Sequence, residues 1–163
     1  MGILHTYEAE IRWTGAGATG TSSYTAYSRD HDITFEGKAS IPGSSDPAFR
    51  GDPTRYSPEE LLVAALAQCH MLWFLHLAAQ DGVVVTGYMD DAAGTMRVEA
   101  AGAGQFTQVV LHPRVTVRAG HDDVDDARLA ALHQRAGEHC FIKRSVNFPV
   151  RTEPAPVVVE LPA

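Results

Sequence analysis

The chain reads as an α+β protein. Two long apolar stretches carry helical signals, one within residues 57–79 and one from residue 122 to about 136. Around them lie short segments that alternate apolar and polar residues, bounded by Gly, Pro, Asp and Ser. The order βββ–α–βββ–α–β groups the strands in runs, which separates this pattern from the strict alternation of α/β folds.

Residues 7–13 place Tyr7, Ala9, Ile11 and Trp13 on one face and Glu8, Glu10 and Arg12 on the other, as in a half-buried strand. Gly15, Gly17 and Gly20 then match G-x-G-x-x-G. A dinucleotide site would need a helix to start there. Residues 21–27, rich in hydroxyl and aromatic side chains, read instead as a strand, so the glycines form a hairpin loop. A third short strand covers residues 33–36, followed by an irregular stretch over 38–56 that carries Arg50 and Arg55. A loop that long is either a surface loop or a functional one.

The first helix opens at Ser57-Pro58-Glu59-Glu60. Ser57 and Glu60 have capping-box spacing, and Pro58 suits the first helical position. Asp81-Gly82 is the stop signal. With few polar positions between, the helix is expected to be buried nearly all round. Residues 83–89, 95–100 and 105–118 read as an antiparallel meander, the last segment bent at Pro113. The second helix opens at Asp122-Asp123-Val124-Asp125-Asp126, and Gly137 is expected to interrupt it. Residues 140–146 read as a short helical segment and residues 157–159 as a final strand.

With 163 residues, a single domain over 1–163 is expected. A net charge of −7 argues against nucleic acid as a partner. The first helix contains Glu, Gln and His and reads as core rather than as a membrane span. No signal-peptide pattern is present, and a cytoplasmic location is expected. Residues 1–6 fit a loose myristoylation pattern, taken as coincidence.

Chemistry centres on two cysteines, Cys69 in the first helix and Cys140 beside the second, 71 residues apart. Each adjoins a histidine, His70 and His139. Adjacent helical residues diverge by about 100°, which suits a shared zinc ion badly. The remaining histidines, His133 among them, look scattered and for the most part solvated, and His76 lies two turns from Cys69 on the same face. Two readings of the thiols stay open from the residues alone: inert core cysteines, which composition favours, or a redox pair. A reactive Cys69 needs a cation from elsewhere in the fold, since burial alone raises a thiol pKa. Arg50 or Arg55, held by Glu59 or Glu60, would supply it.

The run Ser57-Pro58-Glu59-Glu60-Leu61-Leu62, followed by Cys69 and then Cys140, resembles the OsmC/Ohr family of osmotically inducible and organic hydroperoxide resistance proteins. The resemblance spans nearly the whole chain. It implies an OsmC-like α+β fold, with curved antiparallel sheets around two long helices, and an intertwined homodimer. It implies a peroxidatic Cys69, a resolving Cys140, and activation by Glu59 with an arginine, mapped to Arg50 with Arg29 and Arg55 in reserve. The implied activity is reduction of hydroperoxides through a Cys69 sulfenate and a Cys69–Cys140 disulfide, recycled by a lipoyl or thioredoxin-like dithiol, with no cofactor or metal. Gln68, His70 and Phe141 depart from the family's usual neighbours of the two cysteines. The competing functions are a non-enzymatic stress or ligand-binding protein with a buried thiol pair, and a thiol–disulfide oxidoreductase, although C-x-x-C is absent.

Overall fold

The computed structural model describes residues 2–100, 102–119 and 124–160. The expected helix opening at Asp122-Asp123, His121, and Met1 of the myristoylation segment lie outside them. The chain forms two compact units, Met1–Leu61 and Leu62–Ala163.

In the N-terminal unit, β1 (Glu10–Trp13), β2 (His31–Thr34) and β3 (Ile41–Gly43) make an antiparallel sheet in that order. Trp13 pairs with His31, and Ile33 with Ile41. The expected strand over residues 21–27 is absent; turns and bends occupy it. Arg29 accounts for this. Its guanidinium donates to the carbonyls of Tyr24 and Tyr27 and stacks on both rings, at 4.4 and 4.2 Å from their centroids. Those carbonyls are thereby withdrawn from any ladder. The glycines at 15, 17 and 20 sit in this loop with no helix after them, as the hairpin reading expects. The expected half-buried face of β1 is open instead: Ile11 is 60% exposed, because nothing within this unit covers it.

The stretch before the first helix is not structureless. Asp46 caps a 3-10 turn over Pro47–Phe49, and Arg50 ends it with φ of 66°. Buried Ser44 donates to Asp30 and accepts from the Asp52 amide, both at 3.1 Å.

Helix α1 (Pro58–Gln80) starts as its sequence dictates. The Ser57 amide donates to Glu60 Oε2 at 2.8 Å, and the Glu60 amide to Ser57 Oγ at 3.2 Å. It stops in a Schellman arrangement: Gly82, with φ of 72°, donates to Ala79, and Val83 to Ala78. All-round burial is not found. Leu66, His70, Phe74, Leu77 and Ala78 form one buried stripe, while Leu72 is 59% exposed. The other faces are apolar without being covered by this chain.

The C-terminal unit holds two further sheets. One has the order β4 (Val85–Asp90), β7 (Pro113–Arg118), β9 (Val158–Glu160). The other has the order β5 (Ala93–Val98), β6 (Gly104–Leu111), β8 (Val150–Thr152). The pairs β4–β7 and β5–β6 are antiparallel, but β4 and β5 lie in different sheets, so the expected single meander is not formed. The C-terminal strands correct the all-antiparallel expectation: β8 runs parallel to β6, and β9 parallel to β7. The intervening α2 (Asp126–His139) returns the chain to the end from which it set out. The bent strand over 105–118 is two strands in different sheets, divided at His112, and Pro113 takes the first position of β7, where a missing N–H is tolerated.

Two core clusters flank the middle of α1. Leu66 packs with Val109, Leu111 and Val150. Phe74, Leu77 and Ala78 pack with Val115, Val117, Leu129, Leu132 and Ala136. Between them lies a polar contact. His70 Nε2 and His133 Nδ1 stand 3.0 Å apart, with the residues 1% and 3% exposed. Among the scattered histidines, expected to be mostly solvated, His133 is an exception: it lies on the buried face of α2 with Leu129, Leu132, Ala136 and Gly137. Gly137 does not interrupt that helix.

Burial holds His70 down at about 4, helped by the charge of Lys143. Burial holds His133 down at about 3, helped by His70. Both lie below the ordinary 6.5. The unfolded chain therefore takes up two protons near pH 6.5 that the folded chain refuses. This contribution to stability is complete above pH 6.5 and is lost as pH falls toward 4. Urea denaturation midpoints should drop between pH 7 and about 4.5, with a shallower dependence in His70→Phe/His133→Phe. Separately, Ser57→Ala should cost about 1 kcal/mol through loss of the cap, read by the same denaturation at pH 7.

Candidate active site

Cys69 lies in the middle of α1, partly exposed, one residue before His70. Cys140 terminates α2 and is 1% exposed. Both are free thiols. They come from helices that the core holds together, and they are close enough to interact. Burial first, then hydrogen bonding and charge from Cys69, push the Cys140 thiol up to about 11. The amides of Lys143 and Ile142 act the other way, and the Lys143 N–H points at Cys140 Sγ over 3.4 Å. The position at the C-terminal, negative end of α2 also disfavours a thiolate. Cys140 is thus the protonated, enclosed partner and Cys69 the accessible one.

The residues after α2 build the turn around Cys140. Arg144 donates its amide to the Cys140 carbonyl, and Ser145 its hydroxyl to the Phe141 carbonyl at 2.8 Å. The expected helical segment over 140–146 is this turn, with a single 3-10 turn at Lys143–Ser145. Lys143 folds back across α2. A Cβ on Gly137 would come within 3.0 Å of its Nζ, so the glycine inside the helix leaves room for the ammonium.

Outside the thiols lies an aromatic cluster. Trp73, one turn after Cys69, packs its ring against His76, His139 and Phe141 at centroid separations of 5.6, 5.0 and 5.5 Å. Phe141, next to Cys140, is 67% exposed. A surface hollow of about 200 Å³ is lined by Leu72, Trp73 and His76. His139 also accepts this outward position through its Nδ1 contact with the Arg135 carbonyl at 2.8 Å. His70 turns inward to His133 and His139 outward to Trp73, so the two cysteine–histidine pairs do not converge. Among the described residues no group of three or more His, Cys, Asp or Glu could hold a metal ion.

The candidate activating residues belong to the N-terminal unit. Arg55 is committed to the His31 carbonyl and to Asp30 and Asp32. Arg29 is committed to the Tyr24 and Tyr27 carbonyls and rings. Arg50 has only a long approach to the Tyr24 ring, 5.9 Å from its centroid. Glu59 Oε2 is buried with no hydrogen-bond partner. The structure brings Cys69 and Cys140 together and leaves Arg50 and Glu59 without an ion pair between them. His133 and Lys143 are the residues that sequence reasoning passed over. The period of α2 carried a signal for His133, which falls in register with Leu129, Ala136 and Cys140; Lys143, in an irregular turn, carried none.

A family model described as OsmC-like protein matches residues 51–154. No curated protein matches the chain. Among solved structures, an OsmC-like protein of unknown function from Vibrio cholerae is 33% identical, with 93% of this chain and 100% of that one covered and a TM-score of 0.83. The organic hydroperoxide resistance protein OhrB of Bacillus subtilis shares the fold at 19% identity, with 94% and 100% covered and a TM-score of 0.65. An organic hydroperoxide resistance protein OsmC from Legionella pneumophila does so at 16% identity, with 96% and 99% covered and a TM-score of 0.67. With a family model matching more than half of the chain and a relative 33% identical over nearly all of it, the chain belongs to the OsmC-like family.

Proposed function

We propose that this protein is a cysteine-based peroxidase that reduces organic hydroperoxides. The observation that carries the reading is the meeting of two free thiols of unequal environment beside an exposed aromatic surface. The Cys69 thiolate attacks the O–O bond of the hydroperoxide. The distal oxygen passes to sulfur as a sulfenic acid, and the alkoxide leaves as alcohol after taking a proton. The Cys140 thiol then displaces water from the sulfenic acid and forms the Cys69–Cys140 disulfide. An external dithiol, lipoyl or thioredoxin-like, exchanges with the disulfide, returning two thiols and leaving oxidised itself.

Each role has support in the surroundings. Cys140, held up near 11, does not compete as the first nucleophile. Trp73 and Phe141 offer an apolar lip for an alkyl or aryl substituent. Arg50 is the activating arginine in this reading because Arg29 and Arg55 are spent on structural partners. Glu59 holds it, since its buried Oε2 lacks a donor. The same reading makes the protein a homodimer, whose second copy covers the open apolar faces of α1 and β1.

Consumption of cumene or tert-butyl hydroperoxide, with dihydrolipoamide or thioredoxin as reductant, tests the reading. Cys69→Ser should abolish turnover. Cys140→Ser should complete one turnover and accumulate a sulfenic acid that dimedone traps. Arg50→Ala should slow the peroxide step by about 10²-fold, the usual effect of removing one electrostatic donor. A Cys69→Ser protein with wild-type turnover would sink the proposal, and a wild type inert to all hydroperoxides would favour the binding-protein alternative. In the native protein at pH 7.5, iodoacetamide should label Cys69 well before Cys140, as read by peptide mass spectrometry.

A further inference from the structure

The contact between His70 and His133 lies at the place where α1 and α2 present their thiols. His70 directly follows Cys69 on α1, and His133 stands two turns before Cys140 on α2. The two imidazoles lie almost parallel, with planes 7° apart, and meet edge to edge through Nε2 and Nδ1 at 3.0 Å. The face of His133 stacks on Phe74, with centroids 4.2 Å apart and planes 21° apart. Phe74 is one turn after His70. His133 is therefore gripped by two successive turns of α1, one through a directional bond and one through a ring face.

Apolar contacts alone tolerate a small slide or rotation of one helix on another. A hydrogen bond between buried rings does not, because a shift of one residue moves the side chain about 1.5 Å along the axis and 100° around it. The remaining polar atoms of the pair oppose burial: His70 Nδ1 and His133 Nε2 are both enclosed without a partner. Two residues of phenylalanine or leucine type would fill the same volume without stranding polar atoms. Retention of a costly polar pair in a core is best attested where it sets register.

We propose that His70 and His133 are positioning residues that lock α1 against α2 in the register at which Cys69 and Cys140 can form a disulfide. The pair touches neither peroxide nor reductant. Its relevance to turnover rests on the peroxidase reading above, but its effect on the thiols does not.

The test is the equilibrium between the protein dithiol with oxidised glutathione and the protein disulfide with two reduced glutathiones. It reads the effective concentration of one thiol toward the other and involves no peroxide. His133→Phe and His70→Phe/His133→Phe are compared with wild type, all well below their thermal midpoints. Effective concentration should fall at least about tenfold in both variants. The double variant removes both hydrogen-bonding partners at similar volume, so it should recover most of the stability lost in the single one. Folded variants within twofold of wild type, or wild-type thiols that do not pair in this buffer, would overturn the inference. Should neither variant fold, imidazole ¹⁵N shifts of the wild type decide: a hydrogen-bonded pair in both dithiol and disulfide forms is expected, and loss of the bond on oxidation overturns it. A wild type that pairs its thiols yet reduces no hydroperoxide would remove the peroxidase reading alone.

Discussion

The crossing of α1 and α2 is the constraint on which the C-terminal unit depends. Phe74 and Leu77 from one helix and Leu129, Leu132 and Ala136 from the other close a single core against β4 and β7. The His70–His133 bond sits at the edge of that core and is a buried directional contact in a largely apolar seam, which Arg128 and Arg135 also tie to Asp81 just past the end of α1. Burial keeps both rings neutral at physiological pH. Each ring still leaves one enclosed nitrogen unpaired, at a cost of about 1–3 kcal/mol per group. The packing around Phe74 and Leu132 has to offset that cost.

The same crossing separates the two thiols chemically. A helix interior gives Cys69 no help from a dipole, but it leaves the side chain partly accessible. A helix C-terminus and full burial hold the proton on Cys140. Turn amides directed at Cys140 Sγ partly counter this by favouring negative charge on that sulfur. One pair of identical residues thus acquires unequal environments from position alone. Lys143, a cation of the same unit, lies over Gly137 and is felt at His70. The candidate activating arginines, Arg29, Arg50 and Arg55, lie in the other unit, where two of the three are tied to carbonyls, rings or carboxylates.

Much of this was legible before any coordinates. The Ser57–Glu60 box and the Gly82 stop bound α1 because capping is settled within a few residues of chain. The β5–β6 hairpin followed from alternation and turn residues, while the pairing of β4 with the distant β7 did not. Residues 21–27 misled because their β-propensity was real, yet Arg29 took their carbonyls. The parallel pairing of β8 and β9 was equally hidden, since short valine-rich strands carry no mark of their partner's direction.

For the candidate site, the sequence by itself determined which side chains could do chemistry: two cysteines, each borne by or ending a helix, and a glutamate in a capped first turn. Helical period and capping are local, so those placements needed no tertiary information. Only the tertiary structure decided that Cys69 and Cys140 meet, that His133 is a buried partner of His70 rather than a solvated residue, and that Arg29 and Arg55 are occupied elsewhere. Each of these depends on contacts between residues far apart in the chain. Such contacts arise from packing and burial across elements, which the pattern of a single element cannot encode.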